Sequence, residues 1–447
     1  MTTVAPQPDP DLMVDAAVVG GGAAGLATAA HLARRGKRVV CVEHRGWPRP
    51  AVGESLEFSA PGLLDALGVE IEGDHEQSRH LYPKTSVRIH GHDEEFTVWP
   101  PGWFARAPIW CSGRTFHTDR RELDQQLLHL AVDEGAAILP ERVTSVEHEN
   151  DRVVALTTDQ RTRIEASWFV DATGHTCRLF GRALGLDTVV LGQPRAAYWA
   201  RIDEPPEGHA TSLYFPEPAA PDLTWAWQIP LNPSEVSIGI VMSTGRVRGL
   251  RRRGYGPHEI FSRQLEAIPG LRRIAHEHRC VELHSATYTP YRHRRPIGPN
   301  WLLVGDASAM VDPLTSNGVT SALRHADRAA RIVCDALDHT DLERGQAWAY
   351  RTTVPAAVTT IEAAIEAFLY QPTVRQRLGL AAAVNLYAAT GVITNALYTK
   401  LQPVGVRRSL VCAVMLAASR VWTSLASNAL GLGRRPDANG KGRGERG

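Results

Sequence analysis

Four groups of residues in this 447-residue sequence have types and spacings that could do chemistry. Gly20-Gly-Gly22-Ala23-Ala24-Gly25 is a G-x-G-x-x-G run, and Glu43 follows 23 residues after its first glycine. In such a run the first glycine makes a tight turn, the second admits a pyrophosphate to the backbone, and the third lets helix lie on strand. The pattern suits a dinucleotide whose ribose hydroxyls donate to Glu43. Lys84 offers an amine on a flexible stem; a lysine is ordinarily a solvated charge, and becomes a directed donor or nucleophile only when desolvated. Trp225 and Trp227, in W-A-W-Q-I-P, share one face of a strand, where indoles ordinarily serve as core. Asp312-Pro-Leu-Thr-Ser316-Asn317-Gly318-Val319 offers a glycine-permitted turn whose successive N–H groups could form an anion nest.

Elements must position these groups. Val14 to Val19 reads as a strand, the glycines as its turn, the Ala/Leu-rich stretch to Arg35 as a helix, and Arg38 to Glu43 as a second buried strand. Residues 86–100, 152–159, 224–231 and 235–244 read as further strands, several of them alternating, and suggest a second, mostly antiparallel sheet. Ser167 to Gly174 ends a strand in a D-A-T-G turn, and Trp301 to Asp306 ends another in Gly305-Asp306. After Asp306 helices dominate: Ser321 to Leu337, Thr359 to Phe368, Leu378 to Ala389 and Gly405 to Leu430. The expected fold is therefore α/β: a Rossmann-type nucleotide-binding domain, a mostly antiparallel-sheet substrate domain and a helical C-terminal region.

The glycine cradle, the D-A-T-G turn, the Gly305-Asp306 turn and Thr118-Asp-Arg120-Arg-Glu-Leu-Asp124 occur in an order that resembles FAD enzymes of the aromatic-hydroxylase type. That resemblance implies that Asp306 holds the ribityl chain and that Arg120 reaches the flavin. Further segments resemble the flavin-dependent halogenases. Trp47-Pro-Arg49 followed by Gly53-Glu54-Ser55-Leu56 matches the family's (F/W)-P-R-x-x-x-G-E-S-L, and Trp225 to Pro230 matches its W-x-W-x-I-P. Lys84, 30 residues after Glu54, stands where the family carries a lysine. The Asp312 segment aligns with D-P-x-x-S-x-G-(V/I), though Thr315 replaces the aromatic residue of many relatives.

The resemblance implies a division of labour. Gly20, Gly22, Ala23, Ala24, Gly25, Glu43, Glu54, Ser55, Arg120, Gly305, Asp306 and Val319 would hold FAD. Ser316, Asn317 and Gly318 would hold chloride or bromide, and Trp225 and Trp227 would shield the flavin. Lys84 would bind or take up hypohalous acid made from reduced flavin, oxygen and halide, and an electron-rich aromatic would accept the halogen. The substrate would be of phenol, pyrrole or indole type, free or carrier-protein-bound, and Glu57, Asp93, Glu94 and Glu95 are merely near Lys84 in sequence. No second G-x-G-x-x-G is present for a nicotinamide, so a separate flavin reductase is expected to supply FADH2. The competing reading is an FAD-dependent monooxygenase or oxidoreductase of the same fold without halide chemistry. A third is a flavin-bearing partner subunit or sensor.

Composition bounds these readings. Lys+Arg 49 against Asp+Glu 48 excludes a polycationic nucleic-acid coat, and 43% apolar residues exclude global disorder. Cysteines at 41, 111, 177, 280, 334 and 412 form no C-x-x-C pair, and the histidines show no metal-ligand spacing, so a reducing cytoplasm and no metal are expected. The N-terminus lacks a secretory pattern, and Leu410 to Ala418 is too short to span a bilayer, so no firm membrane association is expected. The expected organisation is a discontinuous FAD-binding domain (13–80, 105–177, 285–335), a substrate domain (81–104, 178–284), a helical region (336–433) and flexible tails (1–12, 434–447).

Overall fold

The computed structural model describes residues 12–71, 80–99, 115–277, 282–338 and 342–400. The expected tails, the helix from Gly405 to Leu430 and the run Leu410 to Ala418 lie outside them. The first sheet is built on parallel strands in the order Ala137–Leu139, Val39–Val42, Leu12–Val19, Arg163–Asp171 and Trp301–Leu303. On the edge away from Leu12–Val19, strand Arg163–Asp171 serves two partners. Its last residues pair with Trp301–Leu303, while Arg163 to Glu165 pair antiparallel with Arg152–Thr158. The segment at 152–159 therefore extends the nucleotide sheet as an antiparallel arm and does not join the second sheet. Helices Ala23–Arg34 and Gly318–Leu337 pack together over this sheet, alanine against alanine, which lets their axes approach closely.

The second sheet has seven strands in the order His284–Tyr288, Arg195–Ile202, Glu235–Ser243, Trp225–Asn232, Ala210–Tyr214, Ser86–His90 and Glu95–Trp99. Residues 86–100 thus include a hairpin, turning at Gly91, where Gly91 N–H donates to Glu94 O. One face of the sheet carries Tyr198, Ala226, Ile238 and Ile240 against helices Thr244–Arg252, Pro257–Glu266 and Arg272–Glu277. The other carries Trp199, Leu213, Phe215, Trp225 and Trp227 against the C-terminal helical layer. That layer comprises Leu342–Ala364, a π-helical turn at Ile365–Tyr370 and Pro372–Lys400, which kinks at Gly379 (φ 82°). Among the described residues one stretch, Gly345–Tyr370, is long and apolar enough to cross a membrane, and most of it is buried in the fold.

A short ribbon joins the two sheets. Tyr82–Lys84 pairs antiparallel with Thr115–His117, setting Lys84 opposite Thr115 and Tyr82 opposite His117. The Glu54 to Leu56 segment lies along the other edge of Thr115–His117: Leu56 N–H donates to Phe116 O (3.0 Å) and Thr118 N–H to Glu54 O (2.7 Å). Lys84 is the last ribbon residue before the chain enters the second sheet at Ser86.

Candidate active site

The nucleotide cradle follows from its glycines. Gly20 has φ +107°, a left-handed conformation suited to glycine, and a Cβ on Gly25 would stand 1.7 Å from Gly20 O. At Gly22 a Cβ would meet no protein atom closer than Arg49 Nη2 at 4.0 Å, so the space in front of the helix N-terminus is left clear. Ala23 and Ala24 form the first turn there, and Gly22 supplies no side-chain cap, so backbone donors remain for an anion. Glu43, buried at the end of its strand, accepts Gly21 N–H (2.9 Å) and Arg45 N–H (2.9 Å) and faces Arg49 at 3.1 Å. These backbone donors and Arg49 hold its carboxyl below the usual range against the effect of burial, so it is ionised as a ribose acceptor must be. Gly305, with φ +56°, allows its turn to touch Ala24, and Asp306 beside it keeps a 39% exposed carboxylate. An ionised acceptor, an open helix N-terminus and an exposed carboxylate at the third strand's end fit FAD.

Arg120 binds Asp124 through two parallel bonds of 3.0 Å, one helical turn apart. Its guanidinium lies beside Gly53, where a Cβ would meet both Arg120 Nη1 and Val319 Cγ2 at 3.0 Å. The G-E-S-L, R-x-x-L-D and N-G-V segments therefore converge on one point. Glu54 and Ser55 do not share that surface. Glu54 turns its carboxylate to Arg201 of the second sheet (3.1 Å), and burial pushes it up to about 7. Ser55 Oγ instead meets Lys84 and Thr211. Both are expected from the resemblance to hold FAD; in the structure their side chains are engaged by Arg201 and by Lys84.

Lys84 is 2% exposed. Its Nζ donates to Ser55 Oγ and to Leu56 O, both at 2.9 Å, and lies 5.0 Å from the centre of the Phe58 ring. Burial lowers its pKa to about 7, with Glu57 pulling the other way, so neutral amine and ammonium coexist near neutral pH. The amine lines a cavity of about 120 Å³ whose other walls include Glu57, Ile89, Phe215, Leu314 and Tyr387. Of the four carboxylates near Lys84 in sequence, Glu57 alone is among that lining.

Thr315, Ser316 and Asn317 line the same cavity. Ser316 adopts φ +56°, and Asn317 begins helix Gly318–Leu337 without capping it by its side chain. The expected halide nest differs in one respect: Asn317 N–H already donates to Thr315 Oγ1 (3.2 Å), which leaves the Gly318 end, where a Cβ would meet nothing within 4 Å. The departure at Thr315 thus has a local consequence, since its hydroxyl braces the turn. Two residues beyond Asn317, Val319 faces Gly53 and Arg120, so one helix N-terminus borders both the Lys84 cavity and the cradle side.

Trp225 and Trp227 stand 5.9 Å apart, 2% and 5% exposed, in the apolar layer that also holds Leu314 and Phe215. Trp227 lies flat over Gly239, where a Cβ would come within 2.1 Å of the ring. Neither indole is among the residues lining the Lys84 cavity, so any shielding they give is that of a wall. Trp225 Nε1 donates to Tyr370 Oη (2.9 Å), and Tyr370 and Tyr288 hydroxyls donate to Asp312 at 3.0 and 3.1 Å. Asp312, fully buried, also accepts Leu314 N–H and lies 3.4 Å from Arg195. This network seats the halide-type turn on the second sheet and the C-terminal layer, and sequence gave no signal for it beyond the Asp-Pro pair.

Comparison with known proteins bears on this arrangement. A family model described as tryptophan halogenase matches residues 106–377 of the 447. The chain belongs to the flavin-dependent halogenase family. Tryptophan 2-halogenase of Chondromyces crocatus is 30% identical over 71% of this chain and 60% of its own length, so the chain spans well under the whole of that relative. A 1H-pyrrole-2-carbonyl-[peptidyl-carrier protein] brominase of Pseudoalteromonas luteoviolacea is 26% identical over 73% of the chain and 79% of the relative. Menaquinone reductase of Mycobacterium tuberculosis is 30% identical over 75% of the chain and 79% of the relative, so the likeness reaches a protein named as a reductase as well. A solved flavin-dependent brominase shares the fold with a TM-score of 0.72 at 19% identity, covering 93% of this chain and 100% of the other.

Proposed function

We propose that this halogenase-family protein is an FADH2-dependent halogenase of an electron-rich aromatic. The observation that carries the reading is Lys84: a buried amine, able to be neutral near pH 7, in a cavity shared with the turn at Thr315 to Asn317. Reduced FAD, when bound, supplies with oxygen and halide a hypohalous acid. The Gly318 end of the long helix, with its uncapped N–H groups and positive dipole end, suits a chloride or bromide. Lys84 Nζ, fixed by two acceptors, keeps one valence for the oxidant: as ammonium it donates a third hydrogen bond, and as amine it takes the halogen from the O–halogen bond, its own proton leaving with the hydroxide as water. Ile89, Phe215 and Leu314 give the cavity the apolar walls an arene needs, and Glu57 is the carboxylate placed to accept the proton the ring loses. A separate flavin reductase supplies the FADH2, and the arene is free or carrier-bound.

The test is direct. The purified protein with FAD, a reductase, NADH, oxygen and bromide is offered a panel of free and carrier-bound phenols, pyrroles and indoles, read by accurate mass. Brominated product with the wild type, and hydrogen peroxide alone with Lys84→Ala, supports the reading. The likeness to menaquinone reductase favours one alternative, an oxidoreductase without halide chemistry; unaided NADPH consumption with no halogenated product would establish it.

A further inference from the structure

Lys84 does not end at Ser55. Its Nζ donates to Ser55 Oγ (2.9 Å), Ser55 Oγ is 2.9 Å from Thr211 Oγ1, and Thr211 Oγ1 is 2.8 Å from His117 Nε2. All four residues are buried, at 4% exposure or less, and they come from four separate segments: the G-E-S-L turn, each of the two ribbon strands and the second sheet. A chain of hydroxyls can point either way, and the groups at its ends decide which.

The end at His117 is set by which ring nitrogen carries the proton. Burial is the largest influence on the imidazole, Lys84 and His209 add to it, and only the Pro83 carbonyl opposes them, so the ring is held neutral. With its proton on Nδ1, a ring-nitrogen donor for the Pro83 carbonyl, the neutral imidazole accepts at Nε2 from the Thr211 hydroxyl. Thr211 then donates to His117, Ser55 donates to Thr211, and Ser55 turns its lone pairs to Lys84. The geometry points to His117 as a positioning residue that, through Thr211 and Ser55, holds Lys84 as a hydrogen-bond donor aimed away from the cavity on one side, leaving its remaining valence for the oxidant. Without the acceptor at 117 the two hydroxyls are free to reverse, and Ser55 can donate to the lysine lone pair, which traps the amine and favours its neutral form. The sign follows: losing His117 lowers the Lys84 midpoint. Other ionisable groups facing this assembly are Glu57 on the cavity side and His209, tilted against Tyr82, and neither is altered by the substitutions below.

The inference rests on the proposed function for its catalytic meaning, but its test does not. The chain has only four lysines, at 37, 84, 400 and 441, so lysine-selective 13C labelling of the FAD-loaded protein gives a sparse spectrum, with Lys84 assigned by its loss in Lys84→Met. The Lys84 Cε shift is titrated in wild type, His117→Leu, His117→Gln, Thr211→Val and Thr211→Ser. The expected result is a midpoint about tenfold lower in proton affinity in His117→Leu and Thr211→Val. Gln, whose amide oxygen can accept from Thr211, and Ser, which keeps the hydroxyl, should restore it. Equal midpoints in all five folded proteins overturn the inference. If midpoints move as expected and no variant or wild type ever halogenates, the relay stands and the proposed function fails. If halogenation needs Lys84 while the midpoints stay fixed, the reverse holds.

Discussion

At the scale of single residues, the decisive choice is lysine over arginine. Forty-nine basic side chains include four lysines, and one of these is the buried Lys84. An arginine there would be permanently charged and could not serve as an amine. Lys84→Arg should therefore lose halogenation as fully as Lys84→Ala, by about 100-fold or more, with peroxide formation intact. Stability carries a second signature. The folded pKa of about 7 lies below the ordinary lysine value of 10.5, so between those values the unfolded chain binds more protons and stability rises with pH. Below pH 7 the cost of burying the charge is present in full. Replacing Lys84 by Met should thus stabilise the fold, on the order of 2–3 kcal/mol more at pH 6 than at pH 9. Urea denaturation at the two pH values measures this; a gain independent of pH would show that the amine is not desolvated in solution.

At the scale of elements, the cradle glycines separate two kinds of requirement. Gly25→Ala drives a Cβ to 1.7 Å from Gly20 O and should prevent correct packing of helix Ala23–Arg34 on its strand. Gly22→Ala meets no protein atom within ordinary contact, so its melting temperature without FAD should match wild type while FAD affinity falls about tenfold or more, read by flavin fluorescence. Such local requirements are what a sequence displays: the turn, the helix start and the Arg120–Asp124 pair at i, i+4 are each contained within a few residues of chain. The Lys84 environment was less legible, because Ser55, Thr211 and His117 meet only when the ribbon pairs, across separations of up to 156 residues. The same pairing decides what the Glu54 and Ser55 side chains meet, Arg201 and Lys84, which the motif itself does not display. Residues 152–159 alternate like a second-sheet strand, yet turn back beside Arg163–Asp171, and nothing in their own pattern specifies that partner.

At the scale of the whole molecule, two compartments meet at one turn, and the turn is held from a distance. The Pro313–Thr315 turn and the start of helix Gly318–Leu337 rest on Asp312, which gathers donors from Tyr288 on the second sheet and Tyr370 on the C-terminal layer. Glu362 completes the set, accepting Asp312 N–H, and burial followed by the Asp312 charge raises its pKa well above the usual carboxylate range. None of the residues contacting Asp312 belongs to the glycine cradle, so the position tests coupling apart from cofactor binding. Asp312→Asn keeps the shape but removes the charge that Arg195 faces and puts an amide donor among hydroxyl donors. Removing one side of such a buried pair costs about 3–5 kcal/mol, so the variant should melt earlier and be assayed well below its transition. FAD affinity should stay within about twofold of wild type, whereas the ratio of halogenated product to peroxide should fall at least tenfold, since the turn no longer holds Thr315 to Asn317 at the cavity in one fixed geometry. Tyr370→Phe removes one donor and leaves the carboxylate charged, and should shift the same ratio less. Equal losses of FAD binding and of product in Asp312→Asn would mean that the turn and the cradle form one unit, and that the oxidant is not passed between two separately built compartments.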